Sequence, residues 1–156
     1  MGVHITLHSS RHFVLTIFHG SVSDHELEAF VEELLLDKYD RDKGVRLAIL
    51  SEGASSSRLS YHALYAAGRR MRQCRFRQRH GKLAIIAGKP VDFGLAKVYQ
   101  IATKITDHDE IKVLHKGDLT SAAQWLGISD LSENIQQIIK SVEQSAGEGL
   151  SIQAIH

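Results

Sequence analysis

Apolar residues alternate with polar ones at Val3, Ile5 and Leu7, and a second apolar stretch runs from Phe13 to Phe18. A period of two is that of a strand, and the turn-forming Ser9, Ser10 and Arg11 between the stretches are short enough for a hairpin, so the chain is predicted to begin antiparallel. The period then changes. Leu27, Phe30, Val31, Leu34 and Leu35 recur at helical spacing, behind a capping box formed by Ser23 and Glu26. Val45 to Leu50 and Lys82 to Ala87 are near-continuous apolar runs, the pattern of parallel strands covered on both faces. Between them, a loop of small residues from Glu52 to Ser57 precedes a long helix from about Leu59 to Arg77, with Ala63, Leu64, Ala67, Met71 and Cys74 on its inner side. After Gly88, Lys89 and Pro90, Asp92 is placed to cap a helix whose inner face is Leu95, Val98, Tyr99 and Ala102. Ile111 to Leu114 reads as a last strand. Asp118 caps a short helix that Gly127 ends as a C′ glycine, and a final helix carries Leu131, Ile135, Ile138, Ile139 and Val142 on one side. The tail from Ala146 to His156 has weak signals and is expected to be mobile.

Strands and helices that alternate after an opening hairpin imply parallel pairing with right-handed crossovers. The predicted class is therefore α/β, a mixed but mostly parallel central sheet of about five strands with helices packed on it and an extra C-terminal helix. Residues 1–127 form the α/β domain; residues 128–156 are the C-terminal helix and tail, part of the same domain or an interaction element.

Composition narrows the class. A chain of 156 residues with 43% hydrophobic and 24% charged content can bury a core of its own, which argues against disorder. Cys74, the single cysteine, excludes an internal disulfide and a thiolate-rich zinc site. Met1 to Ser10 has no basic leader followed by an apolar stretch, and the apolar runs are too short to span a bilayer, so a cytoplasmic chain without membrane insertion is expected. Gly2 and Thr6 fit the loose myristoylation pattern, but the alternation of Val3, Ile5 and Leu7 favours a strand there.

Charge is balanced overall at +1 and polarised locally. Seven acids lie between Asp24 and Asp40 against Lys38 alone, whereas seven bases and no acid lie between Arg69 and Lys82. On a helical wheel Tyr61, Tyr65, Arg69, Arg72, Arg75, Phe76 and Arg79 share the face turned away from the Ala/Met/Cys stripe. Cations interleaved with aromatic rings suit an anionic partner: RNA, an acidic lipid headgroup, or the acidic helix of a second subunit. The bland alternative is a solvated helix whose rings pack under arginine stems. Self-association, as a dimer for example, needs no further partner and is the simplest expectation; nucleic acid is not favoured.

Motifs for chemistry are absent. There is no G-x-S-x-G elbow, no G-x-x-x-x-G-K-[ST] loop and no G-x-G-x-x-G after a strand, so neither catalysis nor a cofactor is expected. The histidines show no ligand spacing: His4, His8 and His12 lie on strands and a turn, where four residues cover about 13 Å, too far for one ion. Asp107, His108, Asp109 and Glu110 lack the length and glycine of a calcium loop. No metal is expected.

Phe13 to Gly20, Val45 to Ser51, Gly94-Leu-Ala-Lys-Val-Tyr-Gln100, and Ile111-Lys-Val-Leu114 followed by Ala122-Ala-Gln-Trp-Leu126 together resemble the STAS domain. The likeness is closest to the group described as stage II sporulation protein AA-like, related in shape to the CRAL-TRIO lipid-carrier fold. The resemblance implies a non-catalytic regulatory or scaffolding module acting through protein–protein contacts. In anti-sigma-factor antagonists of that family, Asp-Ser-Ser-Gly after the third strand carries a phosphorylated serine. The corresponding loop here offers Ser55, Ser56 and Ser57 as candidate phospho-acceptor or interaction residues, without the Asp or the following Gly. The lipid-carrier kinship implies an alternative, a carrier of a small amphipathic or lipid ligand with the helix at Leu131 to Val142 as a lid.

Overall fold

The computed structural model describes residues 2–8, 11–34, 44–51, 54–73, 81–104, 109–145 and 149–155. The elements are β1 (Gly2–His8), β2 (Phe13–His19), β3 (Ser21–Ser23), α1 (Asp24–Leu34), β4 (Val45–Leu50), β5 (Ser55–Arg58) and α2 (Tyr61–Gln73). They continue with β6 (Gly81–Ala87), α3 (Pro90–Lys104), β7 (Asp109–His115), α4 (Leu119–Leu126), a 3-10 turn (Ser129–Leu131), α5 (Ser132–Ser145) and β8 (Gly149–Ile155).

The main sheet runs β7-β6-β4-β2-β1-β8. β2, β4, β6 and β7 are mutually parallel, β1 is antiparallel to β2 through the predicted hairpin, and β8 lies parallel to β1 at the edge. The α/β class and the mixed, mostly parallel sheet follow the hydrophobic pattern. The three crossovers β2–α1–β4, β4–α2–β6 and β6–α3–β7 all step in one direction across the sheet. Right-handed connections of that kind put their helices on one face. α4 and α5 then carry the chain back across the other face to the opposite edge.

The tail corrects the expectation. Residues 149–155 form an edge strand in register with β1, from Gly2 opposite Gly149 to His8 opposite Ile155. Leu150, Ile152 and Ala154 alternate as a strand should, but a single weak strand is fixed by its partner and not by its own sequence. A second departure is a two-stranded parallel ladder of β3 and β5, so that Ser55–Arg58 is a strand and not a loop.

Helix ends follow local chemistry. In the capping box, Ser23 N and Oγ donate to Glu26 Oε2 at 2.9 and 3.0 Å. Ser60, one residue later than the predicted start of the second helix, caps it by accepting the Ala63 N–H at 3.0 Å. Gly127 closes α4 in the left-handed region at φ 74°, with its own N–H on Gln124 O and that of Ile128 on Ala123 O, a Schellman motif. Asp118 stands at the start of α4, but its side chain makes no capping hydrogen bond. α3 begins at Pro90, whose fixed φ suits a first helical position, so Asp92 lies inside the first turn instead of capping it.

The two faces of the sheet pack differently. On the α4/α5 side, Phe13, Leu15 and Ile17 of β2 and Leu47 and Ile49 of β4 meet Ala123, Leu126, Ile128, Ile135 and Val142 in one buried cluster. α5 is thus built into this core, and Arg11 ties the hairpin to it through an ion pair with Asp130, whose Oδ1 also accepts from Nη2 at 3.0 Å. On the other side, Val3, Ile5, Val14 and Phe18 meet Leu27, Val31, Leu64, Met71 and Leu95 of α1, α2 and α3.

Candidate functional site

A central strand flanked by two others should be the most buried part of a covered sheet. β4 is so on one face only. Leu47 and Ile49, which point to α4 and α5, are 0% and 5% exposed, whereas Arg46, Ala48 and Leu50, which point to α1, α2 and α3, are all partly exposed. The exposure arises from a cavity of about 110 Å³ between β4 and these three helices. Its cause is side-chain size. Ala48 on the strand and Ala96 on α3 are the small residues in its lining, and they leave space that a Leu or Phe would fill.

The wall is apolar over most of its extent, with Phe18 and Phe30 in an edge-to-face contact at 4.9 Å between centroids. Five polar side chains interrupt it: Thr16, Arg46, Ser56, Asp92 and Tyr99. Thr16 on β2 is buried beside Ala48, its neighbour in register. Ser56 on β5 is buried and donates from Oγ to Oδ1 of Asp92, itself only 2% exposed. Arg46 is the second residue of the central strand, between Val14 and Leu83 of its neighbours. It lines the cavity and keeps some accessible surface; burial pushes its pKa down, and its electrostatic interaction with Tyr99 on α3 partly offsets this.

The strand register sets these groups apart. Arg46 sits near the amino ends of the parallel strands, while Ser56 and Asp92 sit beyond their carboxyl ends, since Asp92 follows β6 directly and Ser56 follows β4. Positions 46 to 50 alone cover about 13 Å. The cavity therefore has a cationic end and an end closed by a Ser–Asp hydrogen bond. Lys89 reinforces the second end by donating from Nζ to Ala54 O at 2.7 Å.

The residues singled out from sequence lie elsewhere, with one exception. Ser56 lines the cavity, buried and bonded to Asp92, while Ser55 is partly buried and donates its N–H to Gly20 O; Ser57 lies in the same strand. Buried in a ladder, Ser56 is not an open phospho-acceptor loop. Tyr61 and Tyr65 point outward at 68% and 46% exposed, and Arg69 is exposed beside them. Arg72 is carried by the last turn of α2; Cys74, Arg75, Phe76 and Arg79 lie outside the described residues, as do residues 105–108. The acidic and basic helices are neighbours within the chain. Glu32 Oε1 accepts from Arg70 Nε at 2.9 Å, and Asp24 accepts from Ser60 N and Oγ at 2.7 and 2.8 Å, so both carboxyls are held below their usual pKa range by these bonds. The charge complementarity that suggested pairing between subunits is met in part inside one.

Arg46, Thr16, Asp92 and Tyr99 line the cavity without having been expected as site residues: Asp92 and Tyr99 were expected as a helix cap and an inner helix face. A signal for the first was present: Val45-Arg46-Leu47-Ala48-Ile49-Leu50 is an apolar central strand with a single charge, and such a charge must be paired, solvated or used. Among the described residues no three His, Cys, Asp or Glu side chains converge on a metal-sized point, and no helix is long and apolar enough to cross a membrane. Comparison with family models, with curated proteins and with solved structures gives no match.

Proposed function

We propose that this chain is a non-catalytic binding module that holds a small, mostly apolar ligand in the cavity between β4 and helices α1, α2 and α3. One observation carries the reading: the middle of the sheet is partly exposed on that face and closed on the other. A void of about 110 Å³ is close to that of an engineered cavity of about 150 Å³ that binds benzene, and far above what a single methyl vacancy leaves. The size suits one ring or a short acyl chain, not a two-chain lipid. On this reading α1, α2 and α3 would cover the ligand, whereas α5, expected from sequence to be the lid, packs into the opposite core.

Thermal unfolding in the presence of benzene, with and without Ala48→Phe, tests the reading. Saturating probe should raise the midpoint of the wild-type chain and leave the filled variant unmoved. A wild-type midpoint that ignores benzene and comparable short apolar probes would overturn it.

A second reading, docking of another protein or a second copy, is favoured by Tyr61 and Tyr65, one turn apart and exposed on α2. The resemblance to the STAS group, carried by the four stretches named above, would imply the same. Sedimentation of wild type and Tyr61→Ala/Tyr65→Ala would separate the readings: a wild-type dimer lost in the variant supports docking, and a strict monomer with no co-purifying protein counts against it.

A further inference from the structure

We propose that the outer surface of α2 and α3 is a docking surface for an anionic lipid bilayer, on which the chain lies without crossing it. The inference is independent of the cavity reading and concerns the outward side of two helices whose inward side lines the cavity.

Exposed apolar side chains come first. Among the described residues the large hydrophobics that stand exposed are Tyr61 at 68%, Tyr65 at 46%, Val91 at 65% and Ile101 at 64%, and all four belong to α2 and α3, which pack side by side. Single exposed apolar residues are ordinary on any surface, but their confinement to one pair of neighbouring helices marks an interaction surface. Charge follows the same boundary. α2 contains no acidic residue, and the single acid of α3, Asp92, is buried and accepts from Ser56. Arg69 and Lys97 are exposed on these helices, and from Gly53 to Thr106 the chain carries eleven bases against that one acid. The outer surface of the pair therefore combines apolar side chains and cations with no carboxylate.

That combination selects the occupant. A second copy presenting the same face would set bases against bases, and the buried core of a protein interface is depleted in lysine. A folded partner also needs a fitted pocket for each side chain that projects, whereas a bilayer surface adapts to Val91 and Ile101 wherever they stand. Tyrosine rings at headgroup level, aliphatic side chains below them and bases on the lipid phosphates are the arrangement by which a helix lies in a membrane interface. The electrostatic part is complementary, since each cation near an anionic leaflet strengthens binding about fivefold. α1, on the other side of α2, carries Asp24, Glu28 and Glu32, so an anionic surface is repelled there and the contact centres on the α3 side of Tyr61 and Tyr65.

Flotation of the full chain with vesicles of phosphatidylcholine, alone or with about 30% phosphatidylserine, tests this on wild type, Arg69→Glu/Lys97→Glu and Tyr61→Ala/Ile101→Ala. Wild type should bind the anionic vesicles at least about tenfold more tightly than the neutral ones and lose that preference in about 0.5 M salt. Arg69→Glu/Lys97→Glu should lower the affinity for anionic vesicles at least about tenfold, and Tyr61→Ala/Ile101→Ala should weaken it severalfold. All four positions are exposed, so both variants should fold. Equal binding of wild type to the two vesicles, binding to neither, or undiminished binding of either variant overturns the proposal. So does a wild-type dimer in sedimentation that Tyr61→Ala/Ile101→Ala dissociates, which gives the surface to a second copy. None of these outcomes bears on the cavity, whose test is the benzene melt.

Discussion

The two faces of this sheet share the same strands yet are built differently. Toward α4 and α5, β2 and β4 present Phe13, Leu15, Ile17, Leu47 and Ile49, and all are closed over. Toward α1, α2 and α3, β4 presents Arg46, Ala48 and Leu50, and all keep accessible surface. Since side chains alternate along a strand, one backbone carries both a packed core and the floor of a cavity, and the difference lies in side-chain volume. Both faces carry a buried core, but on the α1, α2 and α3 side that core is interrupted by a hollow over β4.

The largest effects should come from truncating the packed face. Phe13→Ala and Leu47→Ala should each cost about 3–5 kcal/mol in denaturant unfolding, as fully buried large side chains do, whereas Leu50→Ala should cost about 1–2 kcal/mol because its site is already partly empty. Equal costs would mean that the faces pack alike.

Enlargement gives the sharper contrast. Ala48 and Ala84 lie on adjacent parallel strands and point to opposite faces. Ala84→Leu should cost about 1–3 kcal/mol by overpacking, and Ala48→Leu should be neutral or stabilising by up to about 1 kcal/mol by filling space. A destabilising Ala48→Leu would remove the cavity from the account.

The Ser56–Asp92 bond closes one end of the hollow face. Ser56→Ala leaves a buried carboxylate short of a donor and should cost about 1–3 kcal/mol, while Ser55→Ala, in a partly buried position, should cost less. Unfolding midpoints compare the pair.

The smallest effect concerns pH. Burial lowers the pKa of His4, His8 and His19, with repulsion from His19 adding to the effect on His4 and from Arg11 to that on His8. The folded chain therefore binds fewer protons than the unfolded chain below about pH 6.5, the ordinary histidine value. The stability these rings contribute is present above that value and lost as pH falls through the lowered folded values. His8 Nε2 is buried without a hydrogen-bond partner among the described residues, so His8→Leu should flatten the loss on the acid side without cost at pH 8. An unchanged pH slope in denaturant melts of His8→Leu would contradict this.

Much of the fold was legible from residue order, because caps and periods are local. Ser23 with Glu26, Gly127, and the apolar runs at 45–50 and 82–87 each specify an element through their own neighbours. β8 was not, since Gly149–Ile155 becomes a strand only by pairing with β1 more than a hundred residues earlier. The β3–β5 ladder was hidden similarly: Ser55, Ser56 and Ser57 have the composition of a turn, and their pairing with Ser21–Ser23 overrides it. The cavity could not be read from sequence as a volume, because it depends on which side chains of α1, α2 and α3 face Ala48. Its charged residue was visible as the one break in an apolar strand, and reading Val45–Leu50 as a plain core strand passed over it. The basic helix drew notice because charge runs are conspicuous in a sequence, yet one of its arginines, Arg70, is spent on Glu32 inside the same chain.

The central claim, one hollow face and one solid face, is tested most directly by methyl NMR of the chain titrated with benzene. The account predicts saturable shifts at Leu50, Leu64, Leu83, Leu95 and Met71, which line the cavity, with Leu15, Leu126 and Ile135 unmoved on the other side of the sheet. Shifts of equal size on both faces, or none on either, would contradict it.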